Sequence, residues 1–595
     1  MTTPEKSRSN PREFLRSMLP IIAWLPSYKR AWLRTDIMAG LAVWAMTVPQ
    51  ALAYAGIAGV PPVYGLYTVP LAMVAYAFFG TSRTLCAGPE SAIAIISAVT
   101  VGALALGNPN EFIALTSLLA LVVGVLFLLF GLLRLGWLAN FLAQPVLQGF
   151  IQGIALIVII GQVPTLFGTE ATFAQLVENM RNLPQLIGLK VDYTGFLLQS
   201  WAVLATLGKA HLPTTAVGVG ALALLFAFKL FRPNAPSALI AVILSVLAVS
   251  VLGLADRGVS VIGEVETGMV AMAVPAVSID KVVALLPGAL AIVLLGYSVS
   301  LGVAAVGAQT TGEKIDSNQE LVGLGVANLG AAFSSGFVVC GSLSRGSVIL
   351  RAGGKTQIVC LINAGLVVLT LVFALPLFFK LPKATLSAIV IQALSGLLNF
   401  AYFRRLLRIN REEFAYAMAA LFGVLLLGIL QGVALGVVLA LVVLIRRVSR
   451  PATAVLGRLP GTDGYRDIDV HPEAEALPGL LIFRFDAPVI FPNVGYFADE
   501  VRRLIAEAAT PIREVLIPAQ QINQLDSTGA DQLAKLQAEL LAKGIAFSFA
   551  EAKSALREAM GRTGLEEKIG ADHFYESIED GVQAFFQRQE HQVRL

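Results

Sequence analysis

Two stretches of the sequence set hydroxyls and charge beside helix-breaking residues within apolar surroundings: Cys86-Ala-Gly-Pro-Glu-Ser-Ala92 and Cys340-Gly-Ser-Leu-Ser-Arg-Gly346. The second places the hydroxyls of Ser342 and Ser344 next to the guanidinium of Arg345. Guanidinium groups make forked, charge-assisted hydrogen bonds to oxyanions. An arginine at the centre of a bilayer costs about 2.5–3.5 kcal/mol on insertion scales, so it needs a task or a partner. The task is coordination of an anion; the competing role is a structural ion pair with an acid such as Glu90. Glu90 and Ser91 follow Pro89 in the first stretch. A carboxylate at a helix start suits an N-cap, and one beside an anion site suits a proton carrier, because its charge repels the anion unless neutralised. Both roles stay open for Glu90. Gln50 and Tyr54, in Val48-Pro-Gln-Ala-Leu-Ala-Tyr54, add an amide and a phenol to the same inventory. The alternative for Gln50 is an ordinary helix–helix hydrogen bond.

These residues need broken helices to hold them. Short Gly- or Pro-interrupted segments in corresponding halves of a membrane chain point to a transport site. A half-helix that starts inside the membrane offers unpaired N–H groups and the positive end of its dipole to an anion. Irregular backbone at that depth survives only where it lines a cavity or packs on protein. Pro49 is expected to unwind the first span in the same way.

The wider composition supplies the membrane. Of 595 residues 56% are hydrophobic and 14% charged, against about a quarter charged in soluble chains. Apolar runs near the roughly 20 residues that cross a bilayer occur at 36–54, 63–79, 88–106, 112–134, 140–163, 214–231, 236–253, 282–306, 318–335, 355–378, 383–400, 411–429 and 431–446. A short Gly-rich piece around 342–352 brings the total to about 14 segments. Residues 170–211 form a more polar interruption suited to the membrane surface. Lys29, Arg30 and Arg34 precede the first span, while Arg446, Arg447 and Arg450 follow the last. By the positive-inside rule both termini are cytoplasmic, which an even number of crossings allows. The predicted organisation is a cytosolic segment 1–35, a membrane domain 36–450 and a soluble domain 451–595.

In the soluble part, Leu481–Phe485, Arg513–Ile517 and Ile545–Phe549 have strand character, and Ala530–Lys543 has helical spacing. That alternation predicts a small α/β domain. A net charge of +4 makes no case for nucleic acid. The histidines, His211, His471, His573 and His591, stand in no catalytic spacing, and no phosphate-binding P-loop occurs, so neither an enzyme nor a cofactor is expected. Cys86, Cys340 and Cys360 fit no metal or disulfide spacing and are taken as small core residues.

Several motifs carry a resemblance over nearly the whole chain. Pro61-Pro-Val-Tyr-Gly-Leu-Tyr67, Phe79-Gly-Thr-Ser-Arg83, Gly88-Pro89, Ile315-Asp-Ser-Asn-Gln-Glu-Leu321, Gly341–Arg345 and Gly353-Gly-Lys-Thr-Gln357 resemble the sulfate permease (SulP) family of anion transporters, which includes prestin and pendrin. Leu525-Asp-Ser-Thr-Gly-Ala530 resembles the strand–helix turn of a STAS domain, the usual cytosolic appendage of that family. The resemblance implies an all-α polytopic membrane domain of seven plus seven inverted-repeat segments, followed by a small cytosolic α/β STAS domain. It further implies homodimers in the cell membrane (the inner membrane of a Gram-negative bacterium) and an anion site between the third and tenth segments. By motif, Ser344 and Arg345 match anion-coordinating positions, and Gln50 and Tyr54 match the wall contributed by the first segment.

The expected function is secondary active transport of a small anion of the sulfate, bicarbonate, chloride or fumarate class, by alternating access around the two half-helices. The alternative is an uncoupled channel or a voltage-responsive anion-binding protein. Many relatives carry an acid in the eighth segment that is associated with proton or sodium coupling. Here Gly296-Tyr-Ser-Val-Ser300 has Val299 in its place, so a coupled proton would have to use Glu90. Ser527 matches a phosphorylated position of related domains, but a cap by Asp526 or Ser527 at the start of the 530–543 helix explains the motif more simply.

Overall fold

The computed structural model describes residues 19–105, 107–137, 144–186, 196–232, 235–264, 272, 274–462 and 464–594. Most of the expected N-terminal segment 1–35 lies outside the described residues, as do Lys190 and Asp192. Residues up to Ala440 form one compact unit and those from Leu441 a second.

In the first unit the apolar segments read from the sequence coincide over most of their described residues with helices; residues 106 and 140–143 lie outside the described residues, and the 383–400 run is broken at 396–399. The first half comprises α1 (Leu33–Ala58), α2 (Pro62–Phe79), α3 (Ser91–Ala105), α4 (Pro109–Leu132), α5 (Gln144–Phe167), α6 (Glu170–Leu186), α7 (Phe196–Thr206), α8 (Leu212–Phe231) and α9 (Ser237–Leu252). The second comprises α10 (Ile279–Thr311), α11 (Ser317–Phe333), α12 (Leu343–Arg351), α13 (Ile358–Leu369), α14 (Lys383–Ser395), α15 (Phe400–Ile409), α16 (Arg411–Leu427) and α17 (Ile429–Ser449). Among the described residues, 8 helical stretches are long and apolar enough to cross a membrane, whereas α3 and α9 are apolar but shorter. The polar interruption after residue 170 is largely helical, as α6 and α7.

The helices pack as two groups. In one, α11 lies against α2 and α4, α1 against α2 and α13, and α10 against α3 and α4. In the other, α5 lies against α14 and α16, and α8 against α9 and α14. The groups meet where α1 contacts α9 and α14, and where α3 contacts α5. Close approach explains part of the glycine content: a Cβ on Gly330 of α11 would stand 2.9 Å from the Leu71 backbone of α2.

Buried polar residues join elements far apart in sequence. Glu320 of α11 is fully buried and accepts from Tyr76 OH at 2.6 Å, Thr81 Oγ1 at 2.5 Å, and the amides of Thr81 and Ser82 at 2.7 and 3.0 Å. Asp36 of α1 accepts from the Lys355 amide and the Thr356 hydroxyl, both at 2.7 Å. Two sequence expectations change. Pro49 does not unwind the first span, which stays helical from Leu33 to Ala58 with Pro49 buried inside it. Cys86 and Cys360 are disulfide-bonded with Cα atoms 5.8 Å apart, leaving Cys340 as a buried free thiol. A pairing across 274 residues leaves no mark in local spacing.

The second unit contains a sheet of strands β1 (Thr453–Arg458), β2 (Tyr465–Asp467), β3 (Leu480–Phe485), β4 (Glu514–Pro518), β5 (Ala546–Ala550) and β6 (Phe574–Tyr575). Their order is β2-β1-β3-β4-β5-β6. Neighbours from β3 to β6 run parallel, while β1 runs antiparallel to β2 and β3. Helices α18 (Val494–Glu507), α19 (Ser527–Ala542), α20 (Ser554–Arg562), α21 (Leu565–Ile569) and α22 (Ile578–Arg594) complete it. Phe483, Phe485 and Phe497 interlock edge to face in the core. Asp526 is the N-cap of α19, accepting from the Gly529 amide at 2.6 Å. The capping role expected there thus falls to Asp526.

A polar network runs through this sheet. Ser548 of β5 donates to buried Glu514 of β4 at 2.6 Å and lies 2.8 Å from His573 Nδ1. Arg588 of α22 donates to the other Glu514 oxygen at 2.6 Å. Burial pushes the His573 imidazole below its usual value of 6.5; Arg588 acts in the same direction, while Glu514 and Asp572 oppose. The folded state therefore favours neutral His573. Its contribution to stability is complete above pH 6.5 and declines as pH falls below that value, where the unfolded chain binds the proton more readily. Unfolding of the full-length protein, followed by circular dichroism, should show the second unit weakening on acidification. His573→Asn should flatten that dependence; an unaltered slope would assign it to other groups.

Candidate anion-binding site

The two polar stretches meet backbone to backbone. Gly88 and Cys340 form an antiparallel bridge, with Gly88 N donating to Cys340 O at 3.1 Å and Cys340 N to Gly88 O at 3.2 Å. Helix α3 starts three residues after Gly88, and α12 three residues after Cys340. One pair of hydrogen bonds thus brings two helix N-termini together.

Side chains fix the extended backbone on either side. Gln357 Nε2 donates to the carbonyls of Ser82 and Leu85. Asn328 donates to Val339 O and accepts from Val339 N, both at 2.9 Å. Ser300 of α10 accepts from the Gly341 amide at 2.8 Å and donates to Gly296 O at 2.6 Å. A Cβ on Gly341 would lie 3.0 Å from Ser300 Cα, so the fit requires glycine. Ser300 carries no signal of its own in the sequence, although it ends the Gly296–Ser300 stretch in which Val299 replaces an acid. Val299, the residue in the acid's place, is packed against the apolar core.

The two N-termini differ. At α3, Glu90 accepts from the Ala92 and Ile93 amides at 2.8 and 3.4 Å and from Ser91 Oγ at 3.0 Å. Glu90 is therefore a cap, and it already occupies the amides an incoming anion would use. At α12, Ser342 makes no side-chain cap and instead lies 2.9 Å, oxygen to oxygen, from Ser344. The first amides of that helix keep the unpaired donors that helix geometry leaves there.

Arg345, one residue further on, is fully buried. Its Nη1 donates to Pro89 O at 2.8 Å, while Nε and Nη2 are buried without a partner. Among the described residues Arg345 has neither a hydrogen bond nor an ion pair to Glu90, so the structural ion pair considered from sequence is not formed. A buried unpaired donor costs about 1–3 kcal/mol, more when charged. The arginine is thus held to the first break through Nη1, and its unpartnered Nη2 lies beside Gly88 of the same break.

Gln50 and Tyr54 are buried on α1, which packs against both α3 and α12. Gln50 Oε1 is buried and unpartnered. Glu90, Ser91, Ser342, Ser344 and Arg345 are thus gathered by the Gly88–Cys340 bridge, with Gln50 and Tyr54 on the adjoining helix. The unspent donors, a guanidinium edge and a bare helix start, suit an anion and not a cation.

Comparison with other proteins agrees with this chemistry. Residues 33–420 match the profile of the sulfate permease family, and residues 471–581 match that of the STAS domain. The chain is 36% identical over 569 residues to a probable sulfate transporter of Mycobacterium tuberculosis, covering 96% of this chain and 98% of the relative. It is 31% identical to the chloroplastic sulfate transporter 4.1 of Arabidopsis thaliana, covering 97% and 83%. Its fold resembles that of the murine solute carrier 26 family member A9 anion transporter in the inward-facing state, with TM-score 0.85, 21% identity and coverage of 98% and 96%. The transmembrane domain of the cyanobacterial bicarbonate transporter BicA matches with TM-score 0.57 and 21% identity, covering 69% and 98%.

Proposed function

The chain belongs to the sulfate permease family as a multi-pass anion transporter with a C-terminal STAS domain, and from that premise we propose that it carries sulfate or a similar small oxyanion, bound between α3 and α12. The observation that carries this reading is the buried Arg345, with Nε and Nη2 unpaired beside an uncapped helix start. Ser342 and Ser344 complete the coordination, Gln50 and Tyr54 wall the site, and Ser91 holds the Glu90 cap. Sulfate is put first because the relatives similar over almost the full chain are named sulfate transporters.

Transport proceeds by alternating access, in which the helix group carrying both breaks moves against the group built on α5, α8, α14 and α16. The protein works as a homodimer in the cell membrane with both termini cytoplasmic. Residues 36–450 are its transport domain and 451–595 its STAS domain. Uptake of labelled sulfate into proteoliposomes, with bicarbonate, chloride, nitrate and fumarate as competitors, tests the substrate. Saturable sulfate uptake is expected; flux of another anion without sulfate flux would replace the assignment.

Glu90 is the group through which a proton is coupled to the anion. It is the carboxylate of the two breaks, it stands across the bridge from Arg345, and protonating it would remove a negative charge next to the substrate. Glu90→Gln keeps an oxygen for the α3 amides and cannot titrate. Uptake by this variant should lose its dependence on external pH while the protein stays folded. A pH profile like that of the wild type would leave Glu90 as a cap and nothing more.

A further inference from the structure

The connection between α14 and α16 is the helix α15, Phe400-Ala-Tyr-Phe-Arg-Arg-Leu-Leu-Arg-Ile409, and it uses its faces for different purposes. Asn399 caps it, accepting from the Tyr402 amide at 3.0 Å. Phe403 and Leu406 are buried in a cluster with Ala417 of α16, which fixes the helix to the protein along one edge. Phe400, Leu407 and Ile409 are instead 66%, 46% and 68% exposed. Arg404, Arg405 and Arg408 are exposed as well, and none joins an ion pair among the described residues. No acidic residue occurs between Asn399 and Asn410.

At about 100° per residue, Phe400 and Leu407 point within about 20° of each other. Arg404 and Arg408 flank this apolar strip on one side, and buried Phe403 flanks it on the other. A helix that ends a membrane segment, shows bare aromatic and aliphatic side chains, and lines one margin of them with arginines has the form of an interfacial helix. Its apolar strip enters the acyl boundary while the guanidinium groups lie at the level of the phosphates. Glu412 and Glu413 follow in the first turn of α16 without forming an ion pair to these arginines among the described residues, and exposed cations left unpaired favour negatively charged headgroups over zwitterionic ones.

We propose that the exposed face of α15 docks on anionic phospholipid headgroups, with Arg404, Arg405 and Arg408 as the recognising groups and Phe400 and Leu407 as the anchor. The test places the full-length protein in nanodiscs of phosphatidylcholine containing increasing phosphatidylglycerol and follows amide hydrogen exchange of residues 399–410. Exchange should slow as phosphatidylglycerol rises. Each arginine is expected to contribute about fivefold to the apparent lipid affinity, so the combined variant Arg404→Gln, Arg405→Gln, Arg408→Gln should lose the response over the accessible range. Exchange of α14 and α16 reports whether that variant is folded. A second variant, Leu407→Ser, should weaken protection at every lipid composition. Protection that is insensitive to phosphatidylglycerol, as contact with a protein surface would produce, overturns the proposal, and so does a lipid response that survives the triple substitution in a folded protein.

Discussion

Arg345→Gln is expected to reduce anion uptake at least about a hundredfold while leaving the protein folded. The wild-type side chain has one guanidinium nitrogen bound to Pro89 O and two buried without partners. Hydrogen bonds involving a charged group contribute about 1.5–3 kcal/mol each, and each 1.4 kcal/mol is about tenfold in affinity. Losing two such contacts to the anion therefore costs two or more powers of ten. Stability should move the other way or not at all, because the substitution removes a buried charge whose desolvation the protein offsets only in part. Arg345→Lys discriminates charge from geometry. It restores a cation without the planar fork, so recovery should be partial. Saturable uptake in proteoliposomes measures the first effect and thermal unfolding in detergent the second. Wild-type uptake by a folded Arg345→Gln protein would remove the site from its place between α3 and α12.

Glu320→Ala should have the largest effect on stability. The carboxylate is fully buried and gathers Tyr76, Thr81 and Ser82 onto α11 at 2.5–3.0 Å. Removing it leaves at least two buried donors unpaired, at about 1–3 kcal/mol each, a loss of about 2–6 kcal/mol. The damage should reach transport, since Thr81 and Ser82 begin the segment that Gln357 ties down at Ser82 and Leu85 on its way to Gly88. Glu320→Gln keeps one acceptor oxygen and should lose about half as much. Unfolding in detergent, read against uptake per folded molecule, separates these consequences. An Ala variant as stable as wild type would show that the surrounding backbone is supported without the carboxylate.

Much of the architecture was legible in the residues. Long apolar runs mark helices because a membrane span has to satisfy its backbone within itself, and the described residues of the expected runs are mostly helical, with 383–400 split between α14 and α15. The strands at 480–485, 514–518 and 546–550 followed from their apolar and β-branched content, and α19 from its leucine spacing. The edge strands β2 and β6 did not stand out, because two- or three-residue pairings depend on the neighbour that completes them, and neither did the six-residue β1 that lies between β2 and β3. The polar breaks at 86–92 and 340–346 were visible because charge and proline inside apolar sequence are costly and therefore informative.

What the residues could not disclose is whom each polar group faces. The sequence left Glu90 between cap, ion pair and proton carrier. The fold gives one of its oxygens to the amides of Ala92 and Ile93 and the other to the Ser91 hydroxyl, and turns Arg345 to the Pro89 carbonyl 256 positions away. Ser300, Asn328 and Gln357 hold the breaks in place and carried little local signal, since a buried serine or amide looks like any other until its partner is known. The same holds for Glu320 with Thr81, Asp36 with Thr356, and Cys86 with Cys360. Apolar length, helix breaks and turn chemistry act over a few residues and can be read along the chain. The bare start of α12 and the unpaired edge of Arg345 arise only when segments some 250 residues apart are brought into hydrogen-bonding distance at Gly88 and Cys340.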